Sequence, residues 1–247
     1  MKQLKSTKIQ KELIRKSLDE SVSMILNIDE SFTRKIRSKK NDELTIKADT
    51  AFEIPDGVYI LHETLGVRTV VGWNPKDNEG VVGILLVEDD HKIVVALEDS
   101  PENLTWSNEH GLINQPVDEF KDAESDFNGE YYCQKLNSPD FPAVYYCLSY
   151  KKRGRSWYLP SSGELWLIYR HLEEIQNALE TVGGHKLVTT WDDGVPVYWS
   201  STECSATLAN ANSTLAWTLG LNGGGLLSWS TKVIGILKVR PVSKFNL

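Results

Sequence analysis

From Cys204 to Leu237 the chain runs 34 residues with a single charge, Lys232, where a soluble sequence about a quarter charged would carry roughly eight. The rest is Ser, Thr, Ala, Asn and Gly with scattered Leu, Val, Ile and Trp. Its flanks are different: Tyr198-Trp199-Ser200-Ser201-Thr202-Glu203 before it and Val239-Arg240-Pro241-Val242 after it are dense in residues with specific shapes and hydrogen-bonding demands. A pair of Gly-rich buried strands would account for Leu219, Leu221, Leu226, Val233, Ile234, Ile236 and Leu237. It fits poorly with Asn222-Gly223-Gly224-Gly225, which turns or bulges rather than pairs. The other reading is a surface built for contact.

The remaining sequence sets the frame for that run. With 247 residues, 40% apolar and 25% charged, the chain can bury an ordinary core in one large domain with an appendage, or in two small ones. A net charge of -7 argues against a general nucleic-acid binder, which needs a basic face. Cys133, Cys147 and Cys204 are too few for a disulfide framework and have no zinc spacing. No run reaches the roughly 18 apolar residues of a membrane span, and Met1-Lys2-Gln3-Leu4-Lys5 leads into polar sequence rather than an export signal. The expected location is the cytoplasm, or a virion assembled there; a start further upstream would instead allow the cell surface.

Residues 1–40 hold a net charge of +6 and the other 207 hold -13. Ile14, Leu18, Val22 and Ile25 recur at four- and three-residue steps, predicting an amphipathic helix from Lys8 to Leu26. So short a stripe needs a partner, either its own domain or an assembly surface. Arg34 to Asp49 reads as a linker. The expected division is therefore a basic helical assembly segment with its linker over 1–50 and a ligand-binding domain over 55–247.

In the second part, Pro55-Asp56-Gly57 signals a turn, Val58 to Leu61 and Thr69 to Trp73 read as short strands, and Val81 to Val87 pairs with Ile93 to Leu97 across Glu88-Asp89-Asp90-His91. His91 is expected as a solvated turn residue, and the three acidic residues as turn rather than calcium site. Glu98 to Asn128 reads as loop. Tyr131-Tyr132-Cys133 and Val144-Tyr145-Tyr146-Cys147 can be adjacent strands or helical turns, with two buried thiols expected rather than a bridge. Ser161 and Glu164 form a capping box that opens a helix carrying Leu165, Ile168, Leu172, Ile175 and Leu179 on one face and ended by Gly183-Gly184. His171 is expected on its exposed side. Arg240 is expected to pair with Glu203 or another acidic residue.

Trp157-Tyr158-Leu159-Pro160-Ser161-Ser162-Gly163-Glu164-Leu165, then Tyr198 to Glu203, Ala216-Trp217, Gly224, Lys232 and Val239 to Val242 together resemble C-type-lectin-like variable proteins diversified by retroelements. That group includes phage tropism determinants, and the resemblance spans about ninety residues in order. It implies an α+β, C-type-lectin-like fold with a variable region over about 198–242. Its mutagenised codons favour small polar and aliphatic residues. Carried over by position, the variable residues would be Ser205, Ala206, Thr207, Ala209, Asn210, Ala211, Asn212, Ser213, Thr214, Thr218, Gly220, Asn222, Gly223, Gly225, Leu227, Ser230, Thr231, Val233, Ile234, Gly235 and Ile236. Trp217, Leu219, Leu221, Gly224, Lys232, Arg240 and Pro241 would be the constant scaffold between them.

Such a patch resembles an adaptable paratope, with Trp229 and Leu227 supplying contact area, small residues supplying hydrogen bonds, and Lys232 offering one cation. The implied partner is a protein or glycan receptor on a cell surface, with residues 1–40 joining a homo-oligomer or a virion partner and no nucleic acid involved. No catalytic constellation is expected: the sequence contains no G-x-S-x-G, H-E-x-x-H, phosphate-loop or dinucleotide motif, its five histidines (His62, His91, His110, His171, His185) have no ligand spacing, and no cofactor or metal is implied. Trp157 to Leu165 is also similar to formylglycine-generating enzymes, whose chemistry needs late cysteines; Cys204 is the only one here. A bacterial surface adhesin of the same fold is the alternative reading.

Overall fold

The strand signals around the acidic turn translate directly into structure. In the computed structural model, which describes residues 54–109, 111–205, 215–222 and 225–246, β3 (Val81–Glu88) and β4 (His91–Val95) pair antiparallel with Glu88 opposite His91. The two-residue turn between them has Asp89 at φ 52°, the positive φ that tight hairpins require. β1 (Gly57–His62) pairs with β3 on its other edge and with β2 (Gly66–Thr69) outside. Near the C-terminus, β8 (Val242–Lys244) pairs with β4, closing a five-stranded antiparallel sheet of order β2-β1-β3-β4-β8. The expected helix over Lys8 to Leu26 and linker over Arg34 to Asp49 lie outside the described residues.

Two expectations in this sheet need correction. The strand expected over Thr69 to Trp73 ends at Thr69, because the chain turns there through Gly72 at φ 82° and leaves Val71 90% exposed. His91 is not simply solvated: its ring stacks on Phe127 with centroids 3.6 Å apart.

In the chain between β4 and Val197 lie five short α-helices: α1 (Phe120–Glu124), α2 (Gly129–Lys135), α3 (Pro142–Ser149), α4 (Ser162–Arg170) and α5 (Leu172–Thr181). The tyrosine-cysteine runs fall in α2 and α3, so the helical of the two readings is the one adopted. Cys133 and Cys147 are buried free thiols. At the start of α4, the Ser161 backbone N–H and hydroxyl both donate to Glu164, at 2.8 and 3.0 Å, and the Tyr158 hydroxyl donates to the same carboxylate at 2.7 Å. Burial raises the Glu164 carboxyl above its usual range in spite of these donors, so this side chain is a structural cap.

The single expected helix is broken in two at His171 (φ -109°, ψ 24°). Glu88 supplies the physical reason. Its carboxylate takes His171 Nε2 at 2.6 Å and the Arg170 guanidinium at 2.5 Å, so His171 is drawn onto the β3–β4 hairpin rather than pointing into solvent as expected.

A second, three-stranded antiparallel sheet holds β5 (Val197–Cys204), β6 (Leu215–Gly220) and β7 (Leu226–Thr231) in that order. One continuous core joins both sheets: Ile60, Ile84, Leu86, Ile93 and Val95 from the first meet Leu165, Ile168, Ile175 and Leu179 of the helices and Tyr198, Trp199, Trp217 and Leu219 of the second. Alternate residues of the five-stranded sheet, among them Tyr59, Leu85, Val87 and Val94, turn to its opposite face and form a separate apolar cluster.

Candidate recognition surface

The scaffold of the charge-poor run begins with an irregularity in β5. Trp199 lies opposite Thr218 and Glu203 opposite Ala216, so four steps of β5 face two of β6 and Ser200, Ser201 and Thr202 leave the ladder. Bulged backbone must find other partners. Here Ser201 N–H donates to the Pro160 carbonyl at 2.7 Å, the Trp106 indole N–H donates to the Ser200 carbonyl at 2.8 Å, and the Ser200 hydroxyl reaches across to the Trp217 carbonyl at 2.8 Å. Thr202 donates its hydroxyl to Asp126 at 2.6 Å and accepts the Ser162 N–H of α4 at 2.9 Å. The Ser200 and Thr202 hydroxyls therefore tie the bulge to β6, to Asp126 and to α4, while its Ser200 carbonyl holds the Trp106 indole.

Next in the chain, Glu203 is fully buried. It accepts the Ile113 and Asn114 N–H groups at 3.1 and 2.6 Å and forms an ion pair with Lys232, which is equally buried. Lys232 Nζ also donates to the Gly111 carbonyl at 2.7 Å and stands 4.3 Å from the centre of the Trp106 ring. Burial pulls the lysine pKa below its ordinary value, with Glu203 opposing the shift. The expectation of Lys232 as a cation offered to a ligand is thus corrected: desolvating an unpaired ammonium is too costly, and the only charge of the run is spent inward on Glu203.

Arg240 takes a different acidic partner from Glu203. Its Nε–H donates to Asp99 at 2.6 Å, and its terminal nitrogens donate to the Ala96 and His185 carbonyls, each at 2.9 Å. Tyr198 donates its hydroxyl to the same Asp99 at 2.9 Å. The two flanks of the run are consequently fastened to each other through one carboxylate.

On this scaffold the expected recognition residues separate into three groups. Asn222, Trp229, Ile234 and Ile236 are exposed, the last two at 75% and 57%. Ser205, Ser230, Thr231 and Val233 are half-buried, and Ser205 donates its N–H and hydroxyl to Asp118 at 2.6 and 2.7 Å. Thr218, Gly220 and Leu227 are buried, which corrects Leu227 as a contact anchor: it packs into the core with Leu219, its cross-strand partner. At Gly225 (φ 69°) a Cβ would come within 2.3 Å of the Tyr169 ring, and at Gly235 within 2.7 Å of Trp199, so neither position has room for a displayed side chain. Ala206, Thr207, Ala209, Asn210, Ala211, Asn212, Ser213, Thr214 and Gly223 lie outside the described residues.

Leu112, Ile113 and Phe120, exposed apolar residues missed by the sequence reading, join the exposed group. Trp217, at the centre of β6, is buried with Trp229 edge-on at 5.9 Å on one side and Phe120 edge-on at 6.2 Å on the other; its indole N–H donates to the Val117 carbonyl at 2.7 Å. Leu112 and Ile113, 42% and 46% exposed, sit on the loop that Glu203 and Lys232 hold. The adjacent apolar pair Leu112-Ile113 and Phe120 inside an otherwise polar stretch was the available signal.

Among the described residues no group of His, Cys, Asp and Glu is arranged to hold a metal ion, and no helix is long and apolar enough to cross a membrane. Cys204 is fully buried, with its thiol pushed up to about 12 by burial.

No protein-family model and no curated protein matches the sequence. A solved structure of a fimbrial protein from Bacteroides ovatus does match, with a TM-score of 0.55 at 15% identity, over 78% of this chain and 49% of that one. The chain therefore spans about half the length of that protein, and what the two share at this identity is an α+β fold.

Proposed function

We propose that this chain is a target-binding protein of C-type-lectin-like fold whose recognition face is diversified by a retroelement, carried by a phage or prophage and directed at a protein or glycan receptor on a cell surface. The observation that carries the reading is the 34-residue run with one charge, that charge being buried against Glu203 while Trp229, Ile234 and Ile236 stand in solvent. A run built only as core would bury its large apolar residues. A neutral face of small polar residues with exposed aromatic and aliphatic side chains is instead the composition of an adaptable paratope. An oxidase of the formylglycine-generating type would need Cys204 as an accessible thiolate, which its burial opposes.

Sequencing the DNA around the gene tests diversification. The expected result is a near-copy of its 3′ end beside a reverse transcriptase, differing chiefly where the copy has adenines. A single-copy 3′ end with no reverse transcriptase nearby would overturn it. A bacterial surface adhesin of the same fold is the second reading, and the fold shared with the fimbrial protein favours it.

Both readings place binding on the same face. In titrations of whole bacterial cells that the purified protein labels, Trp229→Ala is expected to weaken binding at least about tenfold, as loss of an aromatic anchor does. Ile234→Ser and Ile236→Ser should each weaken it less and leave the melting temperature within about 2 °C, since surface substitutions change stability by roughly 0.5 kcal/mol or less. Unchanged binding in all three variants would remove this face as the recognition site.

A further inference from the structure

A cleft of about 450 Å³ opens between the segment from Gln115 to Val117 and one face of α2, outside the charge-poor run. Small-ligand sites are concave and of this order of size. The helix period decides what α2 brings to it. Tyr131 and Lys135 are four residues apart and so share a face; both line the cleft, with Lys135 Nζ 4.6 Å from the centre of the Tyr131 ring.

Both walls are held from behind. Val117 N–H donates to the Glu203 carbonyl at 2.8 Å, and the Val117 carbonyl accepts the Trp217 indole at 2.7 Å. On the other side, one oxygen of the buried Asp126 carboxylate accepts the Asn128 backbone and side-chain N–H groups at 3.2 and 2.8 Å and the Tyr132 hydroxyl at 3.2 Å. Its second oxygen accepts the Thr202 hydroxyl at 2.6 Å. β5 therefore anchors one wall at Glu203 and the other at Thr202. A ligand meets a cleft already shaped, and little ordering is needed to bind it.

The groups left over define the ligand. Tyr131 is 54% exposed, and half-buried Pro116 and Val117 face it with apolar surface. Among the described residues, the Gln115 amide and the Asn128 amide oxygen have no hydrogen-bond partner, and Lys135 has no carboxylate. A flat face of C–H groups suits the aromatic ring, hydroxyls suit amides that donate and accept, and a negative charge suits the ammonium. A sugar ring that carries a carboxylate combines all three. An acidic peptide would satisfy the lysine but offers Tyr131 no such face.

We propose that this cleft binds an acidic sugar, a uronic or sialic acid residue of a glycan, with its ring against Tyr131, its hydroxyls on Gln115 and Asn128 and its carboxylate on Lys135. Through Val117 and Trp217 the site adjoins the recognition face, but it stands whether or not the charge-poor run is diversified.

Saturation-transfer NMR on the full-length chain tests this, with glucuronic acid, N-acetylneuraminic acid and glucose as probes. At least one of the two acids is expected to bind with a dissociation constant on the order of 1 mM, as about a dozen non-hydrogen atoms supply. It should bind about three- to fivefold more tightly than glucose, the margin of an exposed ion pair. Tyr131→Ala should weaken every sugar about tenfold. Lys135→Met should bring the acid to the level of glucose and leave glucose unchanged. Both side chains are exposed, so each variant should melt within about 2 °C of wild type. The proposal is overturned by an absence of transfer to all three sugars, by glucose binding as tightly as both acids, or by wild-type affinity in Tyr131→Ala. Transfer to the tripeptide Gly-Glu-Gly but to no sugar would assign the cleft to an acidic peptide instead. Each of these results leaves the cell titration of the Trp229 face standing, so the two readings fail separately.

Discussion

Lys232→Met lowers the unfolding free energy by about 3–5 kcal/mol, the cost of leaving the other member of a buried ion pair without its partner. Methionine replaces most of the aliphatic stem, so the loss is chiefly electrostatic: Glu203 stays fully buried with the Ile113 and Asn114 amides as donors but with no cation. For a unit of this size the melting temperature should fall by roughly 10 °C. Protection from hydrogen exchange should fall first at residues 111–114, because Lys232 and Glu203 hold that loop from both sides. Adding Glu203→Gln to Lys232→Met should recover part of the loss, since it removes the orphaned charge. If the single variant melted within 2 °C of wild type, the pair would be ornamental rather than structural.

Arg240→Lys should destabilise nearly as much as Arg240→Met, by about 2–4 kcal/mol in urea unfolding, although it preserves the charge. The guanidinium reaches three separate acceptors, Asp99 and the Ala96 and His185 carbonyls. One tetrahedral ammonium, a point donor without the planar fork, satisfies at most part of that set, and each buried acceptor left unpaired costs about 1–3 kcal/mol. Because Asp99 also accepts Tyr198, the damage should extend to the start of β5. A lysine variant as stable as wild type would mean that net charge, not the fork geometry, is what this site requires.

What could be read from the sequence follows the range over which each interaction acts. The β3–β4 hairpin and the cap of α4 are written in neighbouring residues, and both appear where the local pattern puts them. Tyr131 to Cys133 and Val144 to Cys147 are short apolar runs that suit strand or helix equally, and tertiary packing decides for helix. The break at His171 is invisible locally because its cause, Glu88, is 83 residues away. Partner choice among buried charges has the same origin: Lys232 and Arg240 lie 29 and 37 positions after Glu203, and only the folded order of strands gives Glu203 to Lys232 and Asp99 to Arg240. On the candidate surface, composition locates the run but cannot say which side each residue faces. Thr218 and Leu227 fall on opposite faces of the second sheet, Leu227 sharing the face of its partner Leu219, yet both are buried, and the Phe120 and Leu112-Ile113 contributions arrive from about 90 to 120 positions earlier through the Trp217 ring and the ion pair.

The inward use of Lys232 also bears on how fast a partner can arrive. Electrostatic steering raises association rates from a neutral level of about 10⁵–10⁶ M⁻¹s⁻¹ to far higher values at low salt. The run from Cys204 to Leu237 has no other formal charge with which to exert such a pull. On the proposed binding reading, encounters with it would be governed by diffusion and by the fit of uncharged surfaces, and discrimination between targets would reside in how long a complex lasts rather than in how often it forms.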